Sequence, residues 1–261
     1  MEETNMKTVL ILVDGMRPDA MVQIPYAKEL LEKSTYALGA STVFPSVTLP
    51  CHISLFFGVE PARHGTTTNT YMPQVRPVTG LGEILCRNGK KCSIFYSWEQ
   101  LKDCTVPGDL AFSYFCSGGA YGFDVANEKL TRAALAHLQE NELDFTFLYL
   151  GYPDAAGHNH GWMGPEYMES MENSWNCIQT VIETLGTEEY NFIITADHGG
   201  HDRTHGTHLP EDMIIPIICH GKAFEEGKVM TNANIMDIAP TITALQGVAP
   251  VAEWEGKSLL N

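Results

Sequence analysis

The sequence predicts an α/β protein with a mostly parallel, doubly wound central sheet, helices on both faces and a small irregular cap. Two patterns predict it: near-continuous apolar runs of strand length recur along the chain, and amphipathic stretches with helical spacing lie between them. A third observation says where chemistry belongs. Aspartates follow directly after three of the runs, at the strand ends beyond which ligands bind in open α/β sheets.

The first run, Thr8 to Val13, is too short to cross a membrane and no cleavage pattern follows it, so it reads as the first strand. Cys92 to Tyr96, Phe145 to Leu150, Asn191 to Thr195 and Met213 to Cys219 are the other runs, each suited to a strand buried on both faces. Amphipathic segments near 19–34, 80–89, 125–140, 165–185 and 235–246 read as helices. In one of them Leu130, Ala133, Ala134 and Leu138 mark the buried stripe. The stretches 65–77 and 102–122, rich in Pro, Gly and aromatic residues, are expected to be irregular and to form the cap.

With 261 residues, 44% hydrophobic and 18% charged, the chain is expected to form a single domain over 1–261. A formal net charge of −16 opposes any nucleic-acid polymer or anionic membrane as a partner and leaves a small molecule. The seven cysteines form no CxxC pair and read as reduced thiols, which places the expected location in the cytoplasm. No motif bears on oligomeric state.

The strand-end residues are Asp14 in VDGMRPDA, Asp154 and His158 in YLGYPDAAGHNHG, and Asp197 and His198 in FIITADHGG. Taken singly, an aspartate after a strand is a helix cap or turn former. Three uncompensated carboxylates on one edge repel one another, and histidines beside them make bound cations the simpler account. Mixed oxygen and nitrogen ligands suit zinc, with manganese or iron as alternatives. The segment ADHGGHDRTHGTH, 196–208, adds His201, His205 and His208 to the pool. A second element is Val43 to Gly58, where Thr48 stands two residues before Pro50, at the expected mouth of a helix with free amide donors. Coordination to a divalent cation would turn its poorly nucleophilic hydroxyl into an alkoxide near neutral pH.

In order, VDGMRPD, VTLPCH with GVEPARHG, YPDAAGHNHG, TADHGG and THG resemble the alkaline phosphatase superfamily, and within it the nucleotide pyrophosphatase/phosphodiesterase (type I phosphodiesterase) family. The resemblance runs from Lys7 to about Gly221, and 237–248 is similar to the family's closing helix. It implies an alkaline-phosphatase-like fold and two divalent metal ions. One would be held by Asp154, His158 and His205, the other by Asp14, Asp197, His198 and the hydroxyl of Thr48. Thr48 would be the catalytic nucleophile, passing through a phosphothreonine.

His205 is preferred over His208 as the last ligand because Thr-His-Gly followed by a strand matches the family best, while His201 reads as a supporting or exposed residue. His52 and His64 match positions that support the nucleophile loop, and His160 and His220 read as structural or surface residues. An asparagine is expected three residues after the nucleophile, where this chain has Cys51, a poor donor. Tyr71 and Trp162, with Cys51, are the candidate substrate contacts, and Tyr114, Phe115 and Tyr121 further aromatics that could cover a leaving group.

Sulfatases of the superfamily expect Cys or Ser followed by X-Pro-X-Arg, which Thr48-Leu-Pro-Cys-His does not supply, and its metal-dependent mutases carry large extra domains. The expected activity is hydrolysis of small phosphate esters or nucleotide-type substrates, foremost as a phosphodiesterase or nucleotide pyrophosphatase. Phosphomonoesterase and phosphonate hydrolase are the alternatives, and an inactive metal- or partner-binding protein on the same scaffold is the alternative of another class.

Overall fold

A computed structural model describes residues 6–260. Seven strands form one sheet: β1 (Lys7–Val13), β2 (Ser34–Ser41), β3 (Cys92–Tyr96), β4 (Phe112–Phe115), β5 (Phe145–Leu150), β6 (Tyr190–Thr195) and β7 (Ile214–His220). Their order is β2-β7-β6-β1-β5-β3-β4. The β6-β1-β5-β3-β4 portion is parallel throughout, while β7 runs antiparallel to both of its neighbours. The sheet is therefore mixed, with one reversed strand in an otherwise parallel array.

Residues 9–13 of β1 and all six residues of β5 and of β6 are buried, as expected of strands covered on both faces. Two strands were not legible as apolar runs. β2, Ser-Thr-Tyr-Ala-Leu-Gly-Ala-Ser, is built of small and polar residues at the sheet edge and carries a register shift between Ala37 and Ala40. β4 falls inside 102–122, so part of the expected irregular cap is the opposite edge of the sheet, pairing in parallel with β3.

Helices Phe123–Glu140 and Pro165–Leu185 pack together in one layer, and Thr48–Phe57, Leu81–Arg87 and Ile238–Leu245 pack in another. The helix Pro165–Leu185 buries Tyr167, Met171, Trp175, Ile178 and Ile182, a stripe at three- and four-residue spacing. Phe56 meets Phe147 of β5 edge-on, with centroids 5.1 Å apart. Each such fully buried aromatic contributes about 1.5–3 kcal/mol of transfer free energy. The amphipathic segment 19–34 is two helices, Pro18–Met21 and Pro25–Glu32, because proline suits a first helical turn and not a helix interior. No helix among the described residues is long and apolar enough to cross a membrane.

Candidate metal centre and substrate cavity

The carboxyl ends of β1, β5 and β6 lie side by side, so the residues that follow them meet. Asp14 follows β1. The helix Tyr152–His160 begins two residues after β5 and carries Asp154 in its first turn and His158 one turn later. Asp197 and His198 follow β6. Gly15, at φ +71°, turns the chain away from Asp14 in the left-handed region, and a Cβ there would stand 3.1 Å from the Asp154 Cα. A side chain at this position would wedge two ligand-bearing elements apart.

Asp14, Asp197 and His198 offer ligand atoms that all lie within 4.8 Å of one another, and so do Asp154, His198 and His205. His198 Nε2 is 3.4 Å from Asp14 Oδ1 and 3.3 Å from Asp197 Oδ2. In the neighbouring cluster His158 Nε2 is 3.4 Å from Asp154 Oδ1, and His205 Nε2 is 3.6 Å from the same oxygen. His158 and His205 approach each other Nε2 to Nε2 at 3.1 Å.

Hydrogen bonding sets the tautomers. His198 Nδ1 donates to the Gly199 carbonyl at 2.8 Å, His158 Nδ1 to Arg203 at 3.0 Å and His205 Nδ1 to Ser46 at 2.8 Å. All three imidazoles are thereby anchored with Nε2 bare and turned inward, the arrangement in which histidine ligates a cation. Asp14 Oδ1, Asp154 Oδ1 and Asp197 Oδ2 are buried without a hydrogen-bond partner. In Asp14 and Asp197 the other oxygen is occupied: Tyr149 donates a short bond to Asp14 Oδ2, and the amides of Gly15 and His198 donate to Asp197 Oδ1.

Burial, then the charges of Asp197 and Asp154, pushes the Asp14 carboxyl well above the usual carboxylate range. Burial and the charge of Asp154 do the same to Asp197, and burial raises Asp154 against the pull of His205 and His158. Burial drives His198 well below the usual imidazole value, with His205 adding to it. Orphaned carboxylate oxygens facing bare imidazole nitrogens are costly unless cations lie between them. The donor set thus fits two metal ions, and its oxygen and nitrogen chemistry accommodates zinc, manganese or iron.

Thr48 is the first residue of the helix Thr48–Phe57, and its Oγ1 lies 3.1 Å from His198 Nε2. The mouth of this helix is less open than the sequence suggests. The Leu49 amide is held by Asn69 Oδ1 at 3.0 Å, and Pro50 has no amide proton. His52 Nδ1 donates to the Thr48 carbonyl at 2.8 Å and lies 3.5 Å from Asp197 Oδ2, and His64 meets Ser54 at 3.0 Å, so both brace this helix.

A cavity of about 630 Å³ opens over Asp14, Thr48, Asp154, His158 and His205. The three expected substrate contacts do not line it. Cys51 is fully buried, its sulfur accepting from Thr42 Oγ1 at 3.2 Å, because the third residue after Thr48 points off the helix into the core. Tyr71 lines a separate cavity of about 290 Å³ with Phe57, Pro77 and Val106. Trp162 lies beneath the ligands, donating from Nε1 to the Gly15 carbonyl at 3.0 Å with its ring over Gly157 and Gly200, where Cβ atoms would clash.

Asn69 was missed. It lines the main cavity beside Thr48, and with Oδ1 taken by the Leu49 amide its Nδ2 remains as a donor. A side-chain amide thus stands beside Thr48 on the loop 65–77 rather than on the helix at Cys51, and Thr67-Thr-Asn-Thr70 was the only signal. Trp98, Glu99, Gln100, Phe115 and Phe123 complete the far wall.

The remaining histidines resolve. His208 stacks on Phe44 with centroids 3.6 Å apart, away from the cluster. His201 Nδ1 bonds Asp212 Oδ1 at 2.7 Å, and Asp212 Oδ2 accepts from the Thr207 amide at 2.8 Å and from Thr207 Oγ1 at 2.7 Å. Asp212 is fully buried, so it staples both ends of the loop that carries His205. Ser46 Oγ donates to the Thr207 carbonyl at 2.8 Å and fastens that loop to the segment leading into Thr48.

Residues 8–82 match the family model described as type I phosphodiesterase / nucleotide pyrophosphatase, and residues 117–250 match that of the metalloenzyme superfamily. Human ectonucleotide pyrophosphatase/phosphodiesterase family member 7 is 26% identical over 223 residues, which are 74% of this chain and 47% of that protein. The 2,3-bisphosphoglycerate-independent phosphoglycerate mutase of Clostridioides difficile is 26% identical over 208 residues, 69% of this chain and 39% of the mutase. The chain thus spans less than half the length of these curated relatives. Among solved structures, an inactive threonine-to-alanine variant of murine ectonucleotide pyrophosphatase/phosphodiesterase 5 in complex with AMP superposes with a TM-score of 0.80 at 15% identity, covering 98% of this chain and 100% of that one. A buried Asp/His cluster at the ends of three strands, on this fold and with these matches, is a plausible site for two metal ions; the chain belongs to the metalloenzyme superfamily, and its residues 8–82 are similar to the nucleotide pyrophosphatase/phosphodiesterase family.

Proposed function

We propose that the chain is a two-metal phosphodiesterase or nucleotide pyrophosphatase acting through Thr48. The observation that carries this reading is the convergence of three Nδ1-anchored imidazoles and three aspartates with orphaned oxygens, one imidazole nitrogen lying 3.1 Å from the Thr48 hydroxyl. Asp154, His158 and His205 would hold one ion, and Asp14, Asp197, His198 and Thr48 the second, with zinc the preferred metal. Bound there, divalent ions supply a lowered pKa for the Thr48 hydroxyl and neutralise charge on the phosphoryl oxygens.

The chain's own residues supply the rest. Thr48 Oγ1, held beside His198 at the start of its helix, gives up its proton and forms the bond to phosphorus as the ester oxygen departs with its electron pair and takes up a proton, leaving a phosphothreonine. Water then attacks that phosphorus, the Thr48 oxygen leaves and regains a proton, and phosphate monoester is released. Asn69 Nδ2 donates to a non-bridging oxygen in both steps. Tyr149 orients Asp14 through its short bond to Oδ2, and Trp162 holds Gly15 and excludes water from beneath the ligands. The type I phosphodiesterase match covers Thr48, and the threonine-to-alanine variant of the murine relative, described as inactive and bound to AMP, supports a threonine nucleophile and a nucleotide-like ligand.

The test is turnover of bis(p-nitrophenyl) phosphate and p-nitrophenyl phosphate by zinc-loaded protein, wild type and Thr48→Ala. Preference for the diester, with turnover lost in Thr48→Ala while metal content stays near two equivalents, supports the reading. Preference for the monoester moves the assignment to phosphomonoesterase, and unchanged turnover in Thr48→Ala removes the nucleophile.

A further inference from the structure

The two edges of the sheet differ in what covers them. Outside β2 the chain covers itself: the Tyr36 amide donates to the Lys228 carbonyl at 2.8 Å, the Met230 amide to the Tyr36 carbonyl at 2.7 Å and the Ser41 amide to the Ala233 carbonyl at 3.0 Å. β4 ends the sheet on the other side. It pairs with β3 in continuous register from Phe112 to Phe115, and no described residue bonds the backbone along its outer edge. Phe112 stacks on His137 with centroids 3.8 Å apart and Phe115 packs on Tyr96 at 5.2 Å. The strand is therefore fixed in place while Ser113, Tyr114 and Phe115 stay exposed.

Exposed edges are normally guarded by charges or by proline. From Leu110 to Phe123 this chain has neither a charged residue nor a proline, in a protein of net charge −16. Phe115 is 44% exposed, and Tyr121, in the same stretch, is 59% exposed.

We propose that β4 is a self-association edge: a second copy of this chain adds its own β4 antiparallel across a twofold axis, joining the two sheets into one. Charge selects this occupant. Two copies of net charge −16 repel each other, and the uncharged stretch 110–123 lets them meet without opposing like charges. The same edge on both copies is what an isologous contact requires. A twofold axis normal to the sheet sets one residue opposite its own copy, and the middle of the strand makes that residue Ser113 or Tyr114. Either register brings the helical turn Pro107–Asp109 of the second copy beside residues 117–121, where Ser117 and Gly119 line the main cavity. The second copy thus adds to the rim of that cavity. The proposal is independent of the hydrolase reading and needs no bound metal.

Sedimentation velocity of the full chain, from about 1 to about 100 µM, tests it on the wild type and on Ser113→Lys, which sets like charges across the pairing. The expected result is a wild-type dimer whose dissociation constant rises at least about tenfold in Ser113→Lys, with the melting temperature of the variant showing that it is folded. A wild type that stays monomeric at about 100 µM overturns the proposal, as does a dimer whose affinity Ser113→Lys leaves unchanged. If Ser113→Lys does not fold, Ser113→Cys and Tyr114→Cys decide after mild oxidation. A covalent dimer in one of them and not in the wild type upholds the pairing, and none in either overturns it.

Discussion

His158 and His205 confront each other through Nε2 atoms 3.1 Å apart, while both Nδ1 protons are committed to backbone carbonyls. Two lone pairs at hydrogen-bond distance with no proton between them are repulsive, and a cation relieves this. Added zinc is expected to raise the melting temperature of the metal-free chain by about 10 °C when present at about a thousand times its dissociation constant. His205→Ala should lower the affinity of one of two zinc equivalents by at least about 100-fold, a larger loss than removing a residue that merely supports a ligand. Calorimetric titration of the chelator-treated protein measures both, and a single weak site in the wild type would contradict the cluster as assigned.

Asn69 bonds the Leu49 amide through Oδ1 and lines the same cavity as Thr48. Asn69→Ala is expected to lower kcat by about 10²–10³, the usual cost of one oxyanion donor, with two metals retained. Cys51→Ala should leave kcat within about threefold, because the thiol faces Thr42 in the core. Steady-state kinetics on the two variants separates the amide from the thiol, and the reverse ranking would restore Cys51 to the site.

Asp212 receives three protons from His201 and Thr207 and is wholly buried. Asp212→Ala leaves those donors without an acceptor and should cost about 3 kcal/mol of stability. The loop that presents His205 loosens with it, so zinc affinity should also fall about 10–100-fold. Thermal unfolding of the metal-free variant and zinc competition measure the two effects separately.

His64 is buried against Ser54, and burial pushes its imidazole down to about 4 from an ordinary 6.5. The unfolded chain therefore binds a proton that the folded chain refuses between those values. The stability this group contributes is fully present above pH 6.5 and is lost as pH falls toward 4, with a slope of up to about 1.4 kcal/mol per pH unit. In His64→Gln the stability of the metal-free protein should fall less steeply across that window, as urea titrations at several pH values would show.

The strand-end chemistry was legible because aspartates after long apolar runs need no knowledge of pairing order: Asp14, Asp154 and Asp197 come together since β5, β1 and β6 are adjacent. β2 and β4 were not legible, because edge strands need no double-sided apolar pattern and theirs is small, polar or exposed. Substrate contacts failed for a different reason. Which way Cys51 points depends on helix phase, and the place of Asn69 depends on how a loop without regular structure crosses the helix mouth, neither of which spacing encodes. His205 stood out by its Thr-His-Gly setting, whereas the parts of His201 and His208 became visible only once Asp212 and Phe44 were in place.

Ser46 sits two positions before Thr48 and grips the loop that carries His205 twice, through its carbonyl to His205 and its hydroxyl to Thr207. Whatever draws His205 inward therefore also tugs on the peptide that leads into Thr48.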